Sequence, residues 1–252
     1  MSIEIDLSGK VALVTGGSTG IGRAICLRLA EAGANIAFTW SPVEEAPLEL
    51  CQTLRDLGVK VLDFQADVSD NDMAVEVVDS IVHEFGELDM LVCNAGISKD
   101  SVLWKIDNND WREVIAVNLD GAINHLIPFS RLARNNPKPR SIVLISSINA
   151  LRGKRGQAAY AASKAGLIGL ARSAAKDLGL WQVTCNVIAP GMVDTDMISG
   201  LSKEVIDKAK SETLDGRIAT PREVADVALF LSSDMSRHIT GVVIPVDGGQ
   251  LL

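Results

Sequence analysis

A five-residue apolar run, VALVT at 11–15, passes without a break into the glycine-rich stretch TGGSTGIG at 15–22; Ile21, Ala24, Ile25, Leu29 and Ala32 then recur at helical spacing up to a stop at Gly33. That order predicts a strand, a tight turn and a helix whose apolar stripe folds back onto the strand. The run NIAFTW at 35–40 completes a strand-helix-strand unit. Five further runs continue the alternation: VKVLDF at 59–64, LDMLVC at 88–93, SIVLIS at 141–146, VTCNVI at 183–188 and GVVIPV at 241–246. Each is almost continuously apolar, as strands are when helices cover both faces of a parallel sheet. Right-handed crossovers then build an α/β fold, a doubly wound parallel sheet of about seven strands with helices on both faces. In the longest helical stretch, Asp110 to Asn135, Pro128 is expected to introduce a kink. The chain has 252 residues, 47% of them hydrophobic, and no Pro/Gly/Ser-rich linker divides it. Residues 1–252 therefore read as one domain.

The glycine stretch has a chemical meaning as well. Gly16, Gly20 and Gly22 let the backbone turn sharply and approach a ligand closely, and the helix that follows presents its N-terminal N–H groups to negative charge. A dinucleotide pyrophosphate is the expected occupant, although the spacing is not GxGxxG. An acid at the end of the second strand would mark a free adenosine ribose, and a base a 2′-phosphate. Here the strand ends in Trp40 and Ser41, with Glu44 and Glu45 beyond, so the residues leave both cofactors open.

Other classes are disfavoured. A net charge of −8 argues against general affinity for nucleic acid. His83, His125 and His238 lack metal-ligand spacing, Cys26, Cys51, Cys93 and Cys185 form no CxxC pair, and the expectation is no metal and reduced core thiols. The start MSIEIDLSGK has no apolar h-region, and no apolar stretch approaches the roughly 20 residues that span a bilayer. A cytoplasmic protein with no membrane partner is expected.

The only tyrosine in the chain, Tyr160, lies four residues before Lys164 in AAYAASKAG, a segment of strong helical character. The two side chains then share one helix face, and a cation near a phenol favours the phenolate and eases proton exchange. A lone YxxxK is common by chance. The motifs around it are not: TGGSTGIG, the NAG of Asn94 to Gly96, Ser147, YAASK and the PG at 190–191 follow in order, and together they resemble the short-chain dehydrogenase/reductase family from GKVALVTGG to the closing VDGG.

That resemblance implies a single Rossmann-like domain that interconverts a carbonyl and an alcohol with a nicotinamide cofactor. Tyr160 resembles the family's general acid/base, Ser147 the donor to the substrate oxygen, Lys164 the residue that tunes the tyrosine and holds the nicotinamide ribose, and Asn118 of VNLDG the residue that holds a water of the proton relay. The turn residues Gly16, Ser18, Thr19, Gly20, Ile21 and Gly22 would wrap the cofactor beside Trp40 and Ser41. Asp67 and Val68 resemble the adenine contacts, Asn94, Ala95 and Gly96 the lining of the site, and Pro190, Gly191, Val193 and Thr195 the flank of the carboxamide. NADP(H) comes out ahead of NAD(H), although Thr19 and Ser41 stand where NADPH-dependent members often carry arginine.

Residues 96–122, 155–172 and 191–197 are most similar to 3-oxoacyl-[acyl-carrier-protein] and acetoacetyl-CoA reductases, which implies a 3-oxoacyl thioester substrate reduced to the 3-hydroxyacyl thioester. Basic residues cluster at Arg131, Arg134, Lys138 and Arg140 and at Arg152, Lys154 and Arg155, as steering of an acidic acyl carrier protein or coenzyme A would need. Trp181 replaces a basic residue where carrier-protein reductases tend to have one. Residues 194–221 read as a polar, helical substrate lid, and the family implies a homotetramer. The alternatives are a dehydrogenase of the same family acting on a cyclic, sugar or polyketide alcohol, and a dinucleotide-binding regulator without turnover.

Overall fold

Seven parallel strands alternate with helices along the chain. The order is β1 (Val11–Thr15), α1 (Gly20–Glu31), β2 (Asn35–Trp40), α2 (Leu48–Asp56), β3 (Val61–Gln65), α3 (Asn71–Phe85), β4 (Met90–Cys93), α4 (Asn108–Ile115), α5 (Gly121–Asn135), β5 (Arg140–Ile145), α6 (Asn149–Arg152), α7 (Ala158–Leu178), β6 (Val183–Pro190), α8 (Lys203–Ser211), α9 (Pro221–Ser232) and β7 (Val243–Val246). This computed structural model describes residues 5–195, 200 and 202–252.

The sheet order is β3-β2-β1-β4-β5-β6-β7. The chain reverses its direction of growth between β1 and β4, which pair in register from Ala12 opposite Met90 to Thr15 opposite Cys93. In such a sheet the carboxyl ends of the strands part at that point and leave a crevice.

Both faces of the sheet are covered, which explains why the strands read as unbroken apolar runs. One layer packs α1, α2 and α9 on residues such as Val14, Ile36, Phe38 and Val143; the other packs α3, α5 and α7 on Leu13, Leu91, Ile142 and Leu144. Alternate residues of a single strand, such as Leu13 and Val14, thus serve opposite layers and are both fully buried. Each such side chain contributes about 1.5–3 kcal/mol by leaving water.

Two local features depart from the periodic reading. The third strand begins at Val61, two residues later than the apolar run. The helical stretch before β5 is not one kinked helix: α5 runs through Pro128, and the irregularity falls earlier, in a π turn at Ala116–Asp120 where the Gly121 N–H bonds the Ala116 carbonyl. One extra residue in the turn rotates the side chains that follow, and π turns concentrate at functional sites. Asn118 lies in this one.

At the amino end of the strands, opposite the crevice, charges are buried in pairs. Arg140, 1% exposed, donates to the Leu88 and Asn136 carbonyls and to Glu87, while Asp89 receives Lys10 at 3.6 Å and Lys138 at 2.9 Å. The expected basic patch at 131–140 is corrected by this network: Arg140 is interior and Lys138 is neutralised by Glu87 and Asp89. Among the described residues no helix is long and apolar enough to cross a membrane.

Candidate active site

The crevice is built first from backbone. Thr15, the last residue of β1, is buried, and its hydroxyl accepts from the Asn94 and Ala95 N–H groups at 3.0 and 3.2 Å; the Asn94 side chain returns two bonds, to the Thr15 and Gly16 carbonyls at 3.1 and 2.9 Å. The ends of β1 and β4 are thereby laced together. From β2, Thr39 accepts from the Gly16 N–H at 3.1 Å through its hydroxyl and from the Gly17 N–H at 2.9 Å through its carbonyl. A Cβ on Gly22 would overlap the Gly16 carbonyl and stand 2.5 Å from Asn94 Nδ2, so only glycine lets α1 start this close to the turn. Thr195 closes the other side, near enough to meet a Cβ on Gly20 at 3.3 Å.

Beyond the end of β2 the expected adenosine contacts sort differently from one another. Trp40 is a core residue whose indole N–H bonds Asp63 at 3.1 Å. The Ser18 hydroxyl donates to Glu44, which places a carboxylate at the mouth of the glycine turn. Asp67 is exposed and caps its own turn through Ser69, while Val68 is buried against Gly121.

The titratable groups gather where β4 and β5 end. The π turn aims the Asn118 amide at the backbone after Gly96: its Oδ1 accepts from the Ile97 N–H at 2.8 Å, and its Nδ2 donates to the Ile97 carbonyl and Ser163 hydroxyl, each at 3.0 Å. Ser163 in turn donates to the Tyr160 carbonyl at 2.8 Å. Lys164, 4% exposed, donates to the carbonyl of Ile145 at 2.9 Å. A Cβ on Gly96 would lie 3.0 Å from the Lys164 Nζ and 3.2 Å from Asn118 Oδ1, so the missing side chain keeps that corner open to a ligand. Pro190, Gly191 and Val193 line the end of β6, where the Pro190 carbonyl accepts from Ile148, the residue after Ser147.

Burial sets the protonation of this cluster. It lowers Lys164 from an ordinary 10.5 to about 8 by desolvation, against a smaller upward effect of Cys93. Tyr160 is half-buried with Lys164 Nζ 5.8 Å from its ring centroid, yet its pKa rises. Desolvation is the largest cause, partly offset by the Ser147 hydroxyl and reinforced by the charge of Asp100. The sequence reading expected the lysine to lower it. Enclosure outweighs the cation here, since an amine held on Ile145 offers the phenol little direct stabilisation.

Three participants lie outside every motif: Thr39, Asn149 and Gln250. Gln250 shows the difficulty, since its Oε1 accepts from the Met192 N–H at 3.2 Å and its carbonyl from Arg152 at 3.2 Å, linking segments about 58 and 98 positions apart.

A protein-family model described as enoyl-(acyl carrier protein) reductase matches residues 16–250. The chain is 46% identical to the 3-oxoacyl-[acyl-carrier-protein] reductase FabG of Chlamydia muridarum, covering 97% of this chain and 98% of that one, and 39% identical to that of Thermotoga maritima, covering 98% and 99%. The crystal structure of a Sinorhizobium meliloti 1021 protein described as a short-chain alcohol dehydrogenase superposes with a TM-score of 0.93 at 33% identity, over 98% of both chains. The chain belongs to the short-chain dehydrogenase/reductase family. It is an oxidoreductase of the alcohol/carbonyl pair that depends on a nicotinamide cofactor.

Proposed function

We propose that this chain reduces a 3-oxoacyl thioester to the 3-hydroxyacyl thioester. The observation that carries the reading is the convergence of Ser147, Tyr160, Lys164 and Asn118 at one open corner of the crevice, in a chain with full-length likeness to FabG proteins. The cradle fits a dinucleotide: the turn from Gly16 to Gly22 would hold the pyrophosphate, Lys164 has donors left for ribose hydroxyls, and Pro190, Gly191, Val193 and Thr195 would flank the carboxamide. When bound, the nicotinamide supplies the hydride. Ser147 donates a hydrogen bond to the substrate carbonyl oxygen and stabilises the charge that develops there, and the Tyr160 hydroxyl gives that oxygen its proton. A phenol kept protonated by burial is suited to donation, and Lys164 and Asn118 lie along the route by which the proton is restored.

NADP(H) is proposed ahead of NAD(H) on the family likeness, and the carboxylate of Glu44 on Ser18 narrows that preference. Residues 1–252 act as one domain, with 194–221 as the substrate cover; within it, residues 196–199 and 201 lie outside the described residues. Of the expected basic groups at the mouth, Arg152 pairs with Glu212, which leaves Lys154 and Arg155 exposed to meet an acidic carrier. A cytoplasmic homotetramer completes the proposal.

Loss of reduced-cofactor absorbance with acetoacetyl thioester, on acyl carrier protein and on coenzyme A, tests the reading. Turnover that depends on Tyr160 is the expected result. Inactivity with every thioester, alongside turnover of a free cyclic or sugar ketone, would replace the substrate and leave the family assignment intact.

A further inference from the structure

The loop after β4 and the loop before α7 are joined directly over the catalytic corner. The Ser101 N–H bonds the Gly156 carbonyl at 2.8 Å, and Ser101 and Gln157 form a parallel bridge. A chain of side chains runs beside it: Asn149 Nδ2 donates to Gln157 Oε1 at 2.8 Å, Gln157 Nε2 donates to Asp100 Oδ2 at 2.9 Å, and the Ser98 hydroxyl donates to Asp100 Oδ1. The ends of this chain are informative. The Asn149 N–H bonds the Ser147 hydroxyl at 3.2 Å, Gln157 immediately precedes the helix whose first turn holds Tyr160 and its carbonyl accepts from the Ala161 N–H, and the base of the loop is the Ile97 backbone held by Asn118. Asp100 accepts from both loops, from Ser98 in its own and from Gln157 in the other.

We infer that Asp100 is a positioning residue of this site: it closes the Ser98–Asp100–Gln157–Asn149 relay that fixes the carriers of the Ser147 and Tyr160 hydroxyls against each other. Its carboxylate is among the causes that raise the Tyr160 pKa, after desolvation and against the Ser147 hydroxyl. The other charged groups nearby cannot substitute for it. Lys164 is on α7 itself and bound to Ile145; Lys99 is held by Asp110 and Glu113 of α4; Arg152 pairs with Glu212 beyond α8; Lys154 and Arg155 are solvated in the loop before α7.

This inference rests on Tyr160 as the proton donor but not on the thioester, and the chain's single tyrosine allows a test without substrate. Tyrosine labelled with carbon-13 at Cζ gives one signal, whose pH midpoint is followed in the full chain with oxidised cofactor bound. In Asp100→Asn, which can still accept from Gln157, the midpoint should fall by a few tenths of a pH unit, a solvent-screened interaction at this exposure. Asp100→Glu, which retains the charge, should stay at the wild-type midpoint. Asp100→Ala, which also breaks the relay, should lose about tenfold in kcat with acetoacetyl thioester at nearly unchanged KM. An unchanged midpoint in Asp100→Asn, an equal fall in Asp100→Glu, or wild-type kcat in Asp100→Ala would each overturn it.

Discussion

The two ends of the sheet both bury charge, and they do so in opposite ways. At the amino end, buried Arg140 and the partly exposed Lys138 and Lys10 meet Glu87 and Asp89, so each of these cations has a carboxylate. At the carboxyl end, Lys164 is also deeply enclosed and donates to a backbone carbonyl, with no carboxylate partner among the described residues. A buried charge without a counter-charge is costly, and its pKa moves until the cost falls. That separates lysines paired with carboxylates from one enclosed beside the open corner at Gly96.

The comparison can be broken from the carboxyl end first. Tyr160→Phe should cut kcat about a thousandfold while leaving unfolding unchanged, read from steady-state rates beside a urea titration. A fall of less than tenfold would detach the phenol from the chemistry. At the amino end the pattern should invert: Arg140→Leu leaves Glu87 short of a partner and the Leu88 and Asn136 carbonyls without a donor, and should cost about 3 kcal/mol of stability at unchanged kcat per folded molecule.

A smaller effect concerns pH. The unfolded chain keeps the Lys164 proton up to an ordinary 10.5, the folded chain only up to about 8. Between those values the unfolded state binds more protons, so the cost of enclosing the amine, present in full below pH 8, is relieved as pH rises. Wild type should therefore gain on the order of 2 kcal/mol relative to Lys164→Met from pH 8 to pH 10, seen in paired denaturation midpoints. Parallel curves would mean the amine has a partner in the folded state. The smallest effect belongs to the adenosine corner: Glu44→Gln removes the carboxylate from Ser18 and should raise kcat/KM for NADPH relative to NADH by about fivefold. No change in that ratio would place the 2′-position elsewhere.

The strand runs were legible to within two residues because a sheet covered on both faces demands an unbroken apolar string, and the glycine turn because Gly22 admits no side chain. Tyr160 and Lys164 were legible as a pair because four residues along a helix make one face. The basic cluster at 131–140 misled, since a charge count along the chain does not say that Arg140 points inward to Leu88. Asn118 was found through its motif, but not the π turn that aims it. Asp100 and Gln157 stood in stretches that carried the family likeness, but nothing along the chain said that they bond each other across 57 positions.

Local spacing thus determined the alternation of strands and helices, the backbone cradle and the placing of Tyr160 and Lys164 on one helix face, because these depend on neighbours a few positions away. Which way the Tyr160 proton equilibrium moves, which cations are neutralised and which loop closes over the hydroxyls were decided only by the folded chain. Desolvation and charge pairing depend on distances between residues that sequence order leaves far apart, and at Tyr160 the enclosure outweighed the lysine that the spacing had placed beside it.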